Sequence, residues 1–99
     1  MGRCYELSFQ YAQNNTGWVL VHGYISDRMK GRVIDHAWVE KGDTVLDPVL
    51  DKQFPKLVYY SLYKAEDVKR YSYQELNKMA VKYETYGPWH KIDNSKIKW

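Results

Sequence analysis

The chain has 99 residues, 44% hydrophobic and 27% charged, which suits one folded domain and excludes a disordered segment. A single cysteine, Cys4, excludes an intramolecular disulfide framework, and no apolar run reaches the ~18 residues of a membrane span. The net charge of +3 is spread too evenly to single out a nucleic-acid partner. Its compact basic clusters, Arg28, Lys30 and Arg32, then Lys91, Lys96 and Lys98, read as solvated loop and tail. MGRCYELSFQ lacks the apolar run of a signal peptide, so the expected location is cytoplasmic and reducing, where a free thiol persists.

Residues 4–13 (CYELSFQYAQ) predict a helix that begins at the cysteine. Cys4, Leu7, Ser8 and Tyr11 form one helical row, and Tyr5, Phe9 and Ala12 a second, which implies packing on more than one side. Asn14, Asn15, Thr16 and Gly17 stop it. Residues 18–25 (WVLVHGYI) predict a first strand apolar on both faces, with Gly23 marking a bulge or a close backbone approach. Residues 26–32 (SDRMKGR) read as a loop and 33–40 (VIDHAWVE) as the second strand. Its alternation puts Val33, Asp35, Ala37 and Val39 on one face and Ile34, His36, Trp38 and Glu40 on the other. A turn at Lys41, Gly42 and Asp43 leads to a third strand, Thr44 to Asp47, ended by Pro48.

Residues 49–55 read as a connection, 56–63 (KLVYYSLY) as a fourth strand by β composition, and 64–71 as a short fifth strand or an irregular segment. Ser72-Tyr73-Gln74-Glu75 fits a capping box opening a helix to about residue 84, stopped by Gly87-Pro88. Trp89 reads as an anchor, and residues from about 90 as a polar tail in which Ile92, Ile97 and Trp99 are available to dock. The expected fold is a single α+β domain over residues 1–99: an N-terminal helix on an antiparallel sheet of four or five strands, with a C-terminal helix.

The hairpin carries the chemistry. A two-residue loop at Lys41-Gly42 pairs His36 directly with Asp47; one at Gly42-Asp43 pairs Trp38 with Asp47 and leaves His36 diagonal. Either register keeps His36 and Asp47 on one face, whereas an odd loop without a bulge separates them. A thiol at a helix start, a histidine base and a carboxylate that orients it are the three parts of a cysteine nucleophile. Cys4, His36 and Asp47 fit those parts as candidate catalytic residues. Each also has a structural reading: Cys4 as an inert core residue, His36 as a satisfied strand histidine and Asp47 as a turn residue before Pro48. Trp38 is core or the wall of a cleft, and Trp18 and Tyr24 join it as candidate substrate contacts. His22 reads as structural. Three histidines and one cysteine without close ligand spacing argue against zinc, and no cofactor is expected.

The order of Cys4, His36-Ala37-Trp38 and Asp47-Pro48 resembles the core of transglutaminase-like proteins, within the broader papain-like fold. The resemblance covers about residues 3–48 and implies a Cys4 nucleophile, a His36 base and an orienting Asp47. Arg3-Cys4-Tyr5-Glu6-Leu7 is also similar to the Cys-x-Glu start of arylamine N-acetyltransferases. As a whole the chain resembles small proteins of bacteria and their phages that end in a helix and a YGPW motif. Only Met1, Gly2 and Arg3 precede Cys4, so the upstream glutamine that papain-like enzymes use for an oxyanion is missing. The Cys4 amide is the expected first oxyanion donor; Gln10, Asn14, Trp18 and Tyr24 are conceivable seconds.

The expected function is a cysteine hydrolase or acyltransferase working through a thioester on Cys4, with a peptide, amide or acyl-donor substrate. The rival is a non-catalytic protein on the same fold that grips a protein partner through its tyrosine- and tryptophan-rich surface. Neither nucleic acid nor membrane is the expected partner, and the sequence leaves the oligomeric state open.

Overall fold

The computed structural model describes residues 3–27, 31–93 and 95–97, the side chain of Asp27 excepted. Arg28, Lys30 and Lys98 of the basic clusters and the docking of Trp99 lie outside the described residues. The chain is α+β. Helix α1 (Arg3–Asn14) precedes strands β1 (Val19–Asp27), β2 (Arg32–Lys41), β3 (Thr44–Asp47) and β4 (Lys52–Pro55). Helix α2 (Lys56–Tyr63), strand β5 (Glu66–Tyr71) and helix α3 (Tyr73–Tyr83) complete it. The five strands form one antiparallel sheet in the order β4-β3-β2-β1-β5. Among the described residues no helix is long and apolar enough to cross a membrane.

The alternation within each strand divides the core into two layers. Leu20, Val39, Leu46 and Tyr71 face α1 and α3, meeting Phe9, Ala12 and Leu76. Val21, Ile25, Ile34, Trp38, Val45 and Phe54 face the other way, where Tyr59 of α2 closes over them. Helix α1 buries Tyr5, Phe9 and Ala12 of one predicted row and Cys4 and Ser8 of the other, whose Leu7 and Tyr11 stay half-buried. Helix α3 starts on the expected capping box: Ser72 Oγ accepts from the Glu75 amide at 3.2 Å, and Glu75 Oε1 accepts from the Ser72 amide at 3.0 Å. Trp89 docks as an anchor on the α1 layer, its ring against Phe9 and Tyr71.

Three expectations are corrected. Residues 56–63 form a helix rather than a strand, residues 52–55 form a strand inside the expected connection, and β1 runs on to Asp27 inside the expected loop. The helix has a physical reason. Tyr59 donates its hydroxyl to Asp47 and Tyr60 donates its own to Glu40, both acceptors lying on one face of the sheet. A strand would point consecutive tyrosines to opposite faces, whereas a helix separates them by only about 100°. Burial of two phenols with partners overrides the β propensity of the run.

Gly23 marks both features its position suggests. The pairing of β1 with β5 shifts register between His22 and Gly23, and a Cβ at Gly23 would collide with the Glu66 carbonyl oxygen and crowd the Trp38 ring at 3.0 Å. Gly23→Ala is therefore expected to lower stability by about 2 kcal/mol or more, read as a reduced denaturant midpoint with the slope retained.

On the other face, His22 is fully buried, and among the described residues neither ring nitrogen has a hydrogen-bond partner. It is boxed by Tyr5, Tyr71, Trp89 and His90 at centroid distances of 4.8, 5.0, 5.2 and 5.7 Å. Gly87 lies so close that a Cβ there would sit 2.8 Å from the imidazole Cε1. Burial, with the nearby His90, pushes the His22 pKa down from 6.5 to about 3. Its contribution to stability is thus complete above 6.5 and drains away as the pH falls towards 3. The linkage amounts to about 5 kcal/mol at most. Melting temperatures measured across that interval should fall with acidification, and His22→Phe should flatten the decline.

Candidate active site

Strand β2 is paired to β1 over all but its last residue, from Arg32 to Glu40, but to β3 only over Val39 to Lys41. Strand β3 ends at Asp47, where Pro48, lacking an amide hydrogen, follows it. The β3-side edge of β2 before Val39 therefore has no strand beside it among the described residues. The N-terminus of α1 stands against this gap. Cys4 packs beside Ala37 on one face of the sheet, while His36 belongs to the opposite face with Ile34 and Trp38. Both residues line the same cavity, and Cys4 lies close enough to raise the His36 pKa, so the two approach each other around the open edge.

The hairpin takes the Gly42-Asp43 loop, pairing Lys41 with Thr44, Glu40 with Val45 and Val39 with Leu46. Continued one step, that register sets Asp47 opposite Trp38 and diagonal to His36. His36 Nε2 and Asp47 Oδ2 lie 2.9 Å apart. With Nε2 engaged by Asp47, Nδ1 is the ring nitrogen left for Cys4.

Asp47 is itself immobilised. Its Oδ2 also accepts from the Tyr59 hydroxyl at 2.7 Å, and its Oδ1 from the backbone amides of Val49 at 3.0 Å and Leu50 at 3.4 Å. Burial works against the carboxylate, but these donors and the His36 charge hold Asp47 below the usual carboxylate range. Burial likewise works against a charged His36. The Asp47 hydrogen bond, the neighbouring Cys4 and the Asp47 charge outweigh it and raise the pKa to about 9. The His36 proton thus stabilises the fold fully below 6.5, and that support is lost as the pH climbs through about 9.

Cys4, His36 and Asp47 all line one open cavity of about 520 Å³, together with Arg3, Leu7, Ile25, Ile34, Asp35, Val49, Leu50 and Tyr63. Cys4 and His36 are only 6% and 7% exposed, so they form its floor and a ligand must enter to reach them. Asp35 is held from the helix side by the Tyr5 hydroxyl, which donates to Oδ2 at 2.7 Å. Among the described residues no three His, Cys, Asp or Glu side chains gather to hold a metal.

The other sequence candidates lie elsewhere. Trp38 is fully buried behind the site: its ring stacks on His36 at 6.2 Å, and its Nε1 donates to Glu40 Oε2 at 2.8 Å. Glu40 also accepts from Tyr60 and Arg70 and pairs with Lys56, so Trp38 is fixed from several sides. Trp18 packs edge-on against Tyr11, and Tyr24 is buried with its hydroxyl accepting from the Asp93 amide at 2.8 Å. None of these three lines the cavity, nor do Gln10 and Asn14. Tyr59, which holds Asp47, went unseen because its segment reads as a strand; its four-residue spacing to Tyr63 after Pro55 was the available helical signal. No protein-family model, curated protein or solved structure matches the chain.

Asp47→Asn leaves burial acting on His36 while removing the carboxylate charge. The His36 titration, followed by imidazole proton resonances, should then move from about 9 to 6.5 or below.

Proposed function

We propose that this chain is a cysteine hydrolase or acyltransferase on a papain-like, transglutaminase-like core, acting through a thioester on Cys4. The observation that carries the reading is the convergence of Cys4, His36 and Asp47 on one open cavity, with His36 hydrogen-bonded to Asp47 and close enough to Cys4 to feel its charge. The order of these residues in the chain supports the same reading.

The chemistry follows from the arrangement. His36 Nδ1 takes the thiol proton, and the Cys4 sulfur attacks the carbonyl carbon of the bound acyl donor. The oxygen of the tetrahedral intermediate gains negative charge at the N-terminus of α1, where the backbone amides of the first turn lack helical partners. The carbon–leaving-group bond breaks as the His36 imidazolium returns its proton to the departing amine or alcohol, leaving an acyl group on sulfur. Water or an amine, deprotonated by His36, then attacks the thioester, and Cys4 leaves with the proton restored. Water gives hydrolysis, and an amine gives transfer. Asp47, clamped by Tyr59 and two backbone amides, keeps the ring from rotating and supports its positive charge.

Alkylation tests the pair without requiring a substrate. Iodoacetamide should label native Cys4 near pH 6.5 at least about tenfold faster than it labels Cys4 in His36→Asn. An activated ester should add its acyl mass to the wild type and not to Cys4→Ala. A native thiol that stays unlabelled, or equal rates in the two proteins, would sink the reading. A second reading, a non-catalytic binder, draws on Leu57 and Val58 of α2, which stand 83% and 49% exposed. Partner binding that survives Cys4→Ala while no acyl adduct forms would favour it.

A further inference from the structure

Resting on the thioester reading, the cavity has a composition that points to its occupant. Leu7, Ile25, Ile34, Val49, Leu50 and Tyr63 supply most of its wall. The carboxylates that reach it are committed. Asp47 accepts from Tyr59, Val49 and Leu50 and is bound to His36, Asp35 Oδ2 accepts from Tyr5, and the outward-lying Arg3 side chain pairs with Glu6 at 3.6 Å. Among the described lining residues no buried, unpaired cation waits for a carboxylate, and no polar array faces a sugar or a phosphate. Cys4 and His36 form the floor of the cavity, and the half-exposed Val49 and Leu50 line it as well. A group whose carbonyl reaches the thiol therefore lays its remaining atoms along aliphatic side chains.

We infer that the cavity takes the acyl half of the substrate, and that this half is an uncharged aliphatic acyl group. The volume of about 520 Å³ corresponds to roughly seventeen heavy atoms at about 30 Å³ each, enough for an acyl chain of about six to ten carbons together with the first atoms of the leaving group. Each methylene that leaves water for this wall strengthens binding along the whole path to the thioester, so the selectivity belongs to kcat/KM.

The test uses p-nitrophenyl esters of acetate, butyrate, hexanoate and octanoate, with the succinate monoester as the charged comparison. Acylation of Cys4 is followed by nitrophenolate release and by intact mass. Alongside, octanamide is titrated into Cys4→Ala, with the methyl resonances of Ile25, Ile34 and Leu50 as the readout. Acylation rates should rise about two- to fourfold per added methylene up to hexanoate, the succinyl ester should be the poorest donor, and Leu50→Ser should reduce the hexanoyl-to-acetyl ratio at least about threefold. A flat or falling series, or a preference for the succinyl ester, overturns the inference and leaves the thiol chemistry standing. Methyl shifts with octanamide but no acylation of the wild type overturn the thioester reading while keeping the aliphatic occupant. Neither shifts nor acylation overturns both.

Discussion

The Asp47 carboxylate is the point on which the rest of the structure depends. It is almost fully buried and receives four donors from three parts of the chain: the His36 ring on β2, the Tyr59 hydroxyl on α2, and the Val49 and Leu50 amides just beyond β3. A buried carboxylate with fewer partners would be costly, because desolvation of the charge is repaid only when its lone pairs are filled. Docking of α2, the path of the chain after Pro48 and the orientation of His36 are therefore solved together. Loss of any one donor weakens the other three.

That shared dependence explains which parts of the molecule could be read from the residues. Hairpin parity is local: the alternation of β2 and an even turn are enough to put His36 and Asp47 on one face, and the observed register is one of the two expected. The capping box at Ser72 and the double apolar row from Cys4 to Ala12 are local as well. KLVYYSLY is different. Its composition suits a strand, and it becomes a helix because Asp47 and Glu40, far away in sequence, wait on one face for two adjacent phenols. Propensity is a weak prior against such a tertiary demand.

The same limit governed the site. Its three polar members were legible because each needs a particular residue type at a particular place on its element. The wall was not. Leu7, Ile25, Ile34 and Leu50 come from four segments and carry no motif, and only the early end of β3 reveals that they face an opening rather than one another. Trp38 shows the converse: an aromatic beside the histidine in sequence invited a role in contacting substrate, yet alternation turns it into the buried backing of the imidazole ring.

The open edge of β2 has one more consequence. A strand with unpaired backbone groups is a template for pairing with another chain, and small sheets avoid this by covering or charging their edges. Here the N-terminus of α1 stands at the gap, so the helix that carries the thiol also masks an adhesive edge. Detachment of that first turn would expose the edge beside Ile34 as well as carry Cys4 away from His36. In this chain, the seating of Cys4 beside the cavity and the cover of the sheet edge rest on the same few residues.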